Sequence, residues 1–517
     1  MHGGSLRRTA IGALAGAIAV ALLAALVVAP GARAAEILYW DNYSGDPDNV
    51  GFANIDGSGG GLLNQAGLLL SGPEGMAYDT ASNRLFVANE EGAKGSIIAI
   101  NADGSGAAPF TAPGALIEEP EGVAVDPATG TIYWENVEGG GSIAWAKLDG
   151  SAGGLLNITG TTFSGPCCRI AIDQSGGRVY WVNTGATPNT INYANLNNSG
   201  GGGVLNTAGS TVEPGGEGLA VDNASGRLYF LGGTNEVGFA NLNNSGGGNV
   251  SLGGAIIKNP WGLAFDPSIS RLYWANEGNP KGAQANAFGF TGLAGGPSGN
   301  ISIATTLVGG PQDPVIIKSP SGTGAPTITA APKKPAALTC STGTWAADYP
   351  GSFVYQAPRT LGYQWTLDGK PIGGATAATF EAKSAGSYAC IVTAANQAGA
   401  AAQTSAATKI DAAKAKLTVK TKTVKAKAGK KATFKVQVQN QGDLKSGNAK
   451  LCLKAPKKAK GVLKAKCASL GKLAALAKKT ARLRVRVGPT ATGTYKLKIL
   501  PKGISGKAAK AKLKIVG

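Results

Sequence analysis

Three glutamates, Glu74, Glu121 and Glu217, stand in one recurring phrase, Pro-Glu-Gly or Gly-Glu-Gly. Carboxylates repeated in this way can do two kinds of chemistry. They can move protons, or they can share a hard cation. The matching positions elsewhere hold Cys167, Trp261 and Gln312. Proton transfer needs two carboxyls in differently tuned surroundings, and the near-identical contexts of these three supply no such contrast. Cation binding fits better. Calcium takes six to eight oxygens, which backbone carbonyls could complete. A plainer reading competes with both: each glutamate bonds neighbouring loop backbone and recurs because its segment recurs. Glu74, Glu121, Glu217 and Trp261 are the candidate binding residues. No cofactor is expected; a cation such as calcium, or a small polar ligand, is what these residues could take.

Histidine limits the chemistry further. The only one is His2, so the rest of the chain has no imidazole base, triad or imidazole metal ligand. Asp41, Asp46 and Asp48 sit in Asp-Asn-Tyr-Ser-Gly-Asp-Pro-Asp, whose order does not match a calcium-loop pattern. The six cysteines fall into three local pairs, Cys167/Cys168, Cys340/Cys390 and Cys452/Cys467. An even count in near pairs favours disulfides and an oxidising compartment. Adjacent Cα atoms lie about 3.8 Å apart, below the usual disulfide range. Cys167-Cys168 is therefore a strained vicinal bridge or two thiols.

The elements that must position these residues repeat. An aromatic strand appears six times: Ile37–Asn42, Arg84–Asn89, Thr131–Asn136, Arg178–Asn183, Arg227–Gly232 and Arg271–Asn276. Its aromatic residues 39, 86, 133, 180, 229 and 273 give a period in the forties, which reads as a β-propeller with one blade per repeat. Before the aromatic strand comes a G-x-A-x-D strand, as in Pro73–Asp79 and Pro120–Asp126. After it come a third strand, an Asp-Gly or Asn-Asn-Ser-Gly turn, and a weaker fourth. Asp, Asn and Gly tolerate the positive φ of tight turns.

This grammar resembles the YWTD propellers of low-density-lipoprotein-receptor-like proteins and related six-bladed bacterial propellers, over residues 36–318. The Thr-Asp of that name is replaced here by x-Asn. The resemblance implies that G-x-A-x-D is the innermost strand of each blade. The first blade then begins at its second strand, and Pro314–Ile317 must supply its inner strand. Streptogramin lyases, which look similar, use a catalytic histidine that this chain lacks.

Two further domains are expected. Residues 320–410 resemble a bacterial immunoglobulin-like domain, with Cys340, Trp365, Tyr388 and Cys390 in its Cys–Trp–Cys and tyrosine-corner arrangement. Residues 414–517 alternate like strands, as in Phe434-Lys435-Val436-Gln437-Val438 and Leu483-Arg484-Val485-Arg486-Val487. They resemble small CARDB-like adhesion-related β-sandwiches through V-x-V-x-N-x-G-D and the Cys452/Cys467 pair. The fold class expected is all-β: a six-bladed propeller, an immunoglobulin-like sandwich and a Lys-rich sandwich.

Arg7 and Arg8 precede an apolar run ending near Ala32-Arg33-Ala34. This is a secretory signal pattern over 1–34 with cleavage expected after Ala34. The run is also long enough to remain as an anchor. Charge is segregated. Residues 414–517 hold 27 Lys and 3 Arg against Asp443 alone, a net +29 in a chain of +19. The remainder is −10, or −13 without Arg7, Arg8 and Arg33. Such a tail calls for an anionic partner. With only Phe434 and Tyr495 as aromatics it lacks a stacking platform, so nucleic acid is not expected. A secreted or cell-surface binding protein follows, not an enzyme. Residues 414–517 would tether it electrostatically to an anionic envelope polymer, and the propeller would meet a protein or glycan. The alternatives are a propeller hydrolase or lyase using the rim carboxylates, and a structural envelope protein.

Overall fold

The computed structural model describes residues 36–517 apart from 44–47, 64–69, 92–94, 213–217, 233–234, 278–286, 305–306 and 332–333. The expected signal segment lies outside the described residues. The chain is all-β, and among the described residues no helix is long and apolar enough to cross a membrane. It divides into two compact units. The first holds the described residues up to Gly322 together with Trp345–Leu361 and Ala394–Ala401. The second holds Thr323–Thr344, Gly362–Thr393 and Ala402–Gly517.

Six antiparallel sheets of four blade strands make the propeller. Five are consecutive in sequence, such as Pro120–Asp126, Thr131–Asn136, Ser142–Lys147 and Gly153–Leu155. The sixth joins the two ends of the propeller. Val315–Lys318 pairs antiparallel with Glu36–Asn42, setting Tyr39 opposite Val315 and Ile37 opposite Ile317. The ring therefore closes as the family resemblance implied, and closure leaves no open inner edge.

The aromatic strand explains why each blade forms. Its side chains alternate between the faces towards two neighbouring blades, and Trp40, Trp134, Trp181 and Trp274 are fully buried. A buried indole N–H needs an acceptor. The asparagine two residues on supplies it, at 3.0 Å for Trp40–Asn42, 3.1 Å for Trp134–Asn136 and 3.1 Å for Trp181–Asn183. The same asparagines donate through Nδ2 to loop carbonyls: Asn42 to Leu307, Asn136 to Leu116 and Asn183 to Thr162. The x-Asn ending is thus a clip between strand and preceding loop. At the other end of the inner strand, Asp79, Asp126, Asp222 and Asp266 accept backbone N–H groups two residues on and cap the turn.

In the second unit Cys340 and Cys390 form a disulfide with Cα atoms 6.4 Å apart. Trp365 is fully buried and stacks on Phe380 at 5.6 Å, and Tyr388 Oη donates to Ser384 O at 2.8 Å. Residues beyond Ala413 form two sheets around one core that includes Phe434, Leu451, Leu483, Leu497 and Leu513. Cys452 and Cys467 are bonded there.

Asn136 is buried with all its valences used. Its Oδ1 accepts from Glu118 N and Trp134 Nε1, and its Nδ2 donates to Leu116 O and Ser142 Oγ. We expect Asn136→Ala to lower unfolding free energy by about 1–3 kcal/mol, since buried partners are orphaned. Denaturant melts of the two proteins check this.

Candidate functional site

The inner strands approach each other closely around the propeller axis. Four residues before the closing Asp, four blades carry Gly75, Gly122, Gly218 and Gly262. A Cβ on Gly122 would lie 2.6 Å from Arg169 Cα, and one on Gly262 would collide with Asp313. The fourth blade departs from glycine and places Arg169 there. Its guanidinium is fully buried, touches the Asp313 carboxylate, and lies 3.6 Å from the Phe353 ring centroid. Asp41 is the next charge acting on it.

Phe353 belongs to Trp345–Leu361, the segment that packs within the propeller's unit. Three successive carbonyls of this segment cap inner strands. Gly351 O accepts from Val221 N at 2.9 Å, Ser352 O from Phe265 N at 2.9 Å, and Phe353 O from Ile316 N at 3.0 Å. Val354–Tyr355 then pairs in parallel with Val315–Lys318. Thr80 Oγ1 donates to Asp348 at 2.6 Å, fixing the approach. Gly351 has φ +76, and a Cβ there would collide with Ile172 O. The segment therefore fills the channel at the Asp end of the inner strands.

Carboxylates gather towards the opposite end. Glu74 and Glu121 are buried at the entrances of neighbouring inner strands. Half-buried Glu90 joins them, so that one oxygen from each lies within 4.8 Å of the others. Glu90 is placed by its own N–H, which donates to Gly72 O at 2.8 Å. The three offer only hard oxygen ligands, the set suited to Ca²⁺. Glu135 lies on the adjacent strand, opposite the bulge containing Glu121 and Gly122. It is fully buried, and neither carboxylate oxygen has a hydrogen-bond partner among the described residues. Burial, with the Glu121 charge adding to it, pushes its carboxyl well above the usual carboxylate range. Glu135 is thus sealed from solvent beside the cluster.

Of the sequence-derived candidates, Glu74 and Glu121 are thus brought together. Trp261 lies in another blade, outside this cluster, and its buried Nε1 lacks a partner among the described residues. Glu217 lies outside the described residues, as do the side chains of Cys167 and Cys168 on the strand Pro166–Asp173. Glu90, Glu135, Arg169 and the inserted segment were not singled out by sequence. Two signals were present: an arginine in a glycine column, and Glu135 in a column otherwise holding Ala88, Val182, Leu231, Ala275 and Asp41.

Neither a family model nor a curated protein sequence matches the chain. Among solved structures it is similar to a nidogen/laminin complex, at 16% identity over 54% of this chain and 98% of that one, TM-score 0.43. It is also similar to TolB from Acinetobacter baumannii, at 13% identity over 58% and 71%, TM-score 0.39. A gluconolactonase from Xanthomonas campestris is similar at 17% identity over 46% and 83%, TM-score 0.32. The chain is a β-propeller protein by its own strand pairing.

Burial pushes the Asp41 carboxyl up to about 7 against the pull of Arg169, from an ordinary 3.8. A raised carboxyl means that the native state binds more protons than the unfolded chain between those values. Stability then falls as pH rises through that window. The same burial draws Arg169 down to about 9, so it stays charged at neutral pH. We expect the propeller's melting temperature to fall between pH 4 and 7, and Asp41→Asn to flatten that slope. Thermal melts across pH check both.

Proposed function

We propose that the protein is an envelope-associated binding protein of an extracytoplasmic compartment, held in place electrostatically by residues 414–517. One observation carries this reading. All 30 Lys and Arg side chains of that region are exposed, and its one acid, Asp443, is half-buried. Asp443 Oδ2 accepts from the Asp411 backbone N–H. Among the described residues none of the 30 cations makes an ion pair. A surface of one sign raises the local concentration of oppositely charged polymers and speeds association with them. The disulfides Cys340–Cys390 and Cys452–Cys467 support an oxidising location.

The propeller, residues 36–318, is the part proposed to meet a protein or glycan partner. Its filled channel favours a rim or face contact over a ligand passing through the axis. The reading is of binding, not turnover. Glu135, the carboxyl most strongly raised beside the glutamate cluster, is fully buried, whereas a general acid must reach the group it protonates.

A version of the protein ending at Ala413 should lose association with envelope preparations, while the full-length chain should bind at low salt. If six or more charges engage, affinity should drop on the order of 10³-fold or more between 50 and 200 mM salt, by analogy with polyphosphate-backbone binding. Co-sedimentation across a salt series reads both. Salt-independent pelleting of the intact chain would rule the electrostatic tether out.

A further inference from the structure

The cations are ordered by strand register rather than scattered. In one sheet of the C-terminal sandwich, Lys464, Arg486 and Lys431 line up across three strands, and Lys435 stands opposite Arg482. In the other sheet, Lys454, Lys498 and Lys510 form a row, Lys496 stands opposite Lys512, and Lys425 opposite Lys514. The residues alternating with them are buried in the single core between the sheets. Both outer faces are therefore cationic. Like charges directly opposite on a sheet face are destabilising, and here they recur with no acid interleaved.

We propose that this sandwich takes a linear phosphate polymer along both of its outer faces, rather than lying on a flat anionic membrane. The proposal rests on the tether reading above and names its partner. A flat surface can meet only one face and would leave the opposite rows unneutralised. A flexible chain can follow rows on both. Membrane binding would also profit from apolar side chains that enter the lipid, yet Leu476 is the one exposed large hydrophobic residue among the described residues of this region. The balance of 27 Lys to 3 Arg suits point-charge attraction along a polymer, the way lysine meets phosphate, more than the bidentate arginine forks that read single phosphate or carboxylate groups. Base stacking has no platform, since Phe434 and Tyr495 are both buried.

Two variants of the full-length chain test this, each removing four exposed cations. One carries Lys431→Gln, Lys435→Gln, Arg482→Gln and Arg486→Gln. The other carries Lys425→Gln, Lys496→Gln, Lys498→Gln and Lys512→Gln. The probes are inorganic polyphosphate and vesicles of phosphatidylglycerol in phosphatidylcholine, each over a salt series. Both variants should weaken polyphosphate binding to similar degrees, each lowering the log–log salt slope by up to about 3, at roughly 0.7–0.9 per phosphate contact. The wild type should prefer polyphosphate to vesicles at equal charge concentration. If only one variant weakens binding, or vesicles bind at least as well, the two-face polymer is wrong and the tether reading stands. If the wild type binds neither probe at low salt, both fall.

Discussion

The propeller depends on one constraint, the convergence of six inner strands on a single axis. At four of the six places nothing larger than glycine fits beside the neighbouring strand. Where the fourth blade substitutes Arg169, a charge enters the fully buried interior. A buried charge persists only when paired. Asp313 in contact, Asp41 nearby and the Phe353 ring against the guanidinium meet that requirement together. The inserted segment Trp345–Leu361 follows from the same constraint. Its carbonyls satisfy Val221, Phe265 and Ile316 N–H groups on the inner strands, which would otherwise face an open channel.

A second arrangement runs against local stability. Lys-on-Lys and Lys-on-Arg pairs sit in direct register on the outer faces of the C-terminal sandwich. Its core of Phe434, Leu451, Leu483 and Leu513 and its disulfide hold it together despite that repulsion. Opposite charges across such pairs would instead be stabilising. A bound polyanion, as proposed, would supply the missing sign and offset that repulsion.

Much of the fold was legible because it repeats. The aromatic strands and the asparagines two residues after Trp40, Trp134 and Trp181 recur at a fixed period, and the strand closing the ring followed from the family resemblance. The alternation of residues 431–440 and 478–487 gave both the core and the charged face of the sandwich. The candidate site was only partly legible. Glu74 and Glu121 stood in the repeated phrase, but Glu90 follows the aromatic strand, and only folding brings its carboxylate to them. Arg169 was visible as a break in a glycine column, yet its meaning depends on Asp313, distant in sequence. The inserted segment left a fainter trace. The 24 residues between Cys340 and Trp365 are long for a connection between strands, and Tyr349-Pro350-Gly351-Ser352-Phe353 carries no sign of where it packs.

The most direct test of the account is lysine footprinting of the intact protein bound to envelope preparations, by amine acylation read residue by residue. Lys425, Lys431, Lys435, Lys496 and Lys512 should be protected, with protection lost at high salt, while exposed Lys258 on the propeller labels as in free protein. Equal labelling of the C-terminal lysines in bound and free protein, or protection centred on Lys258, would contradict it.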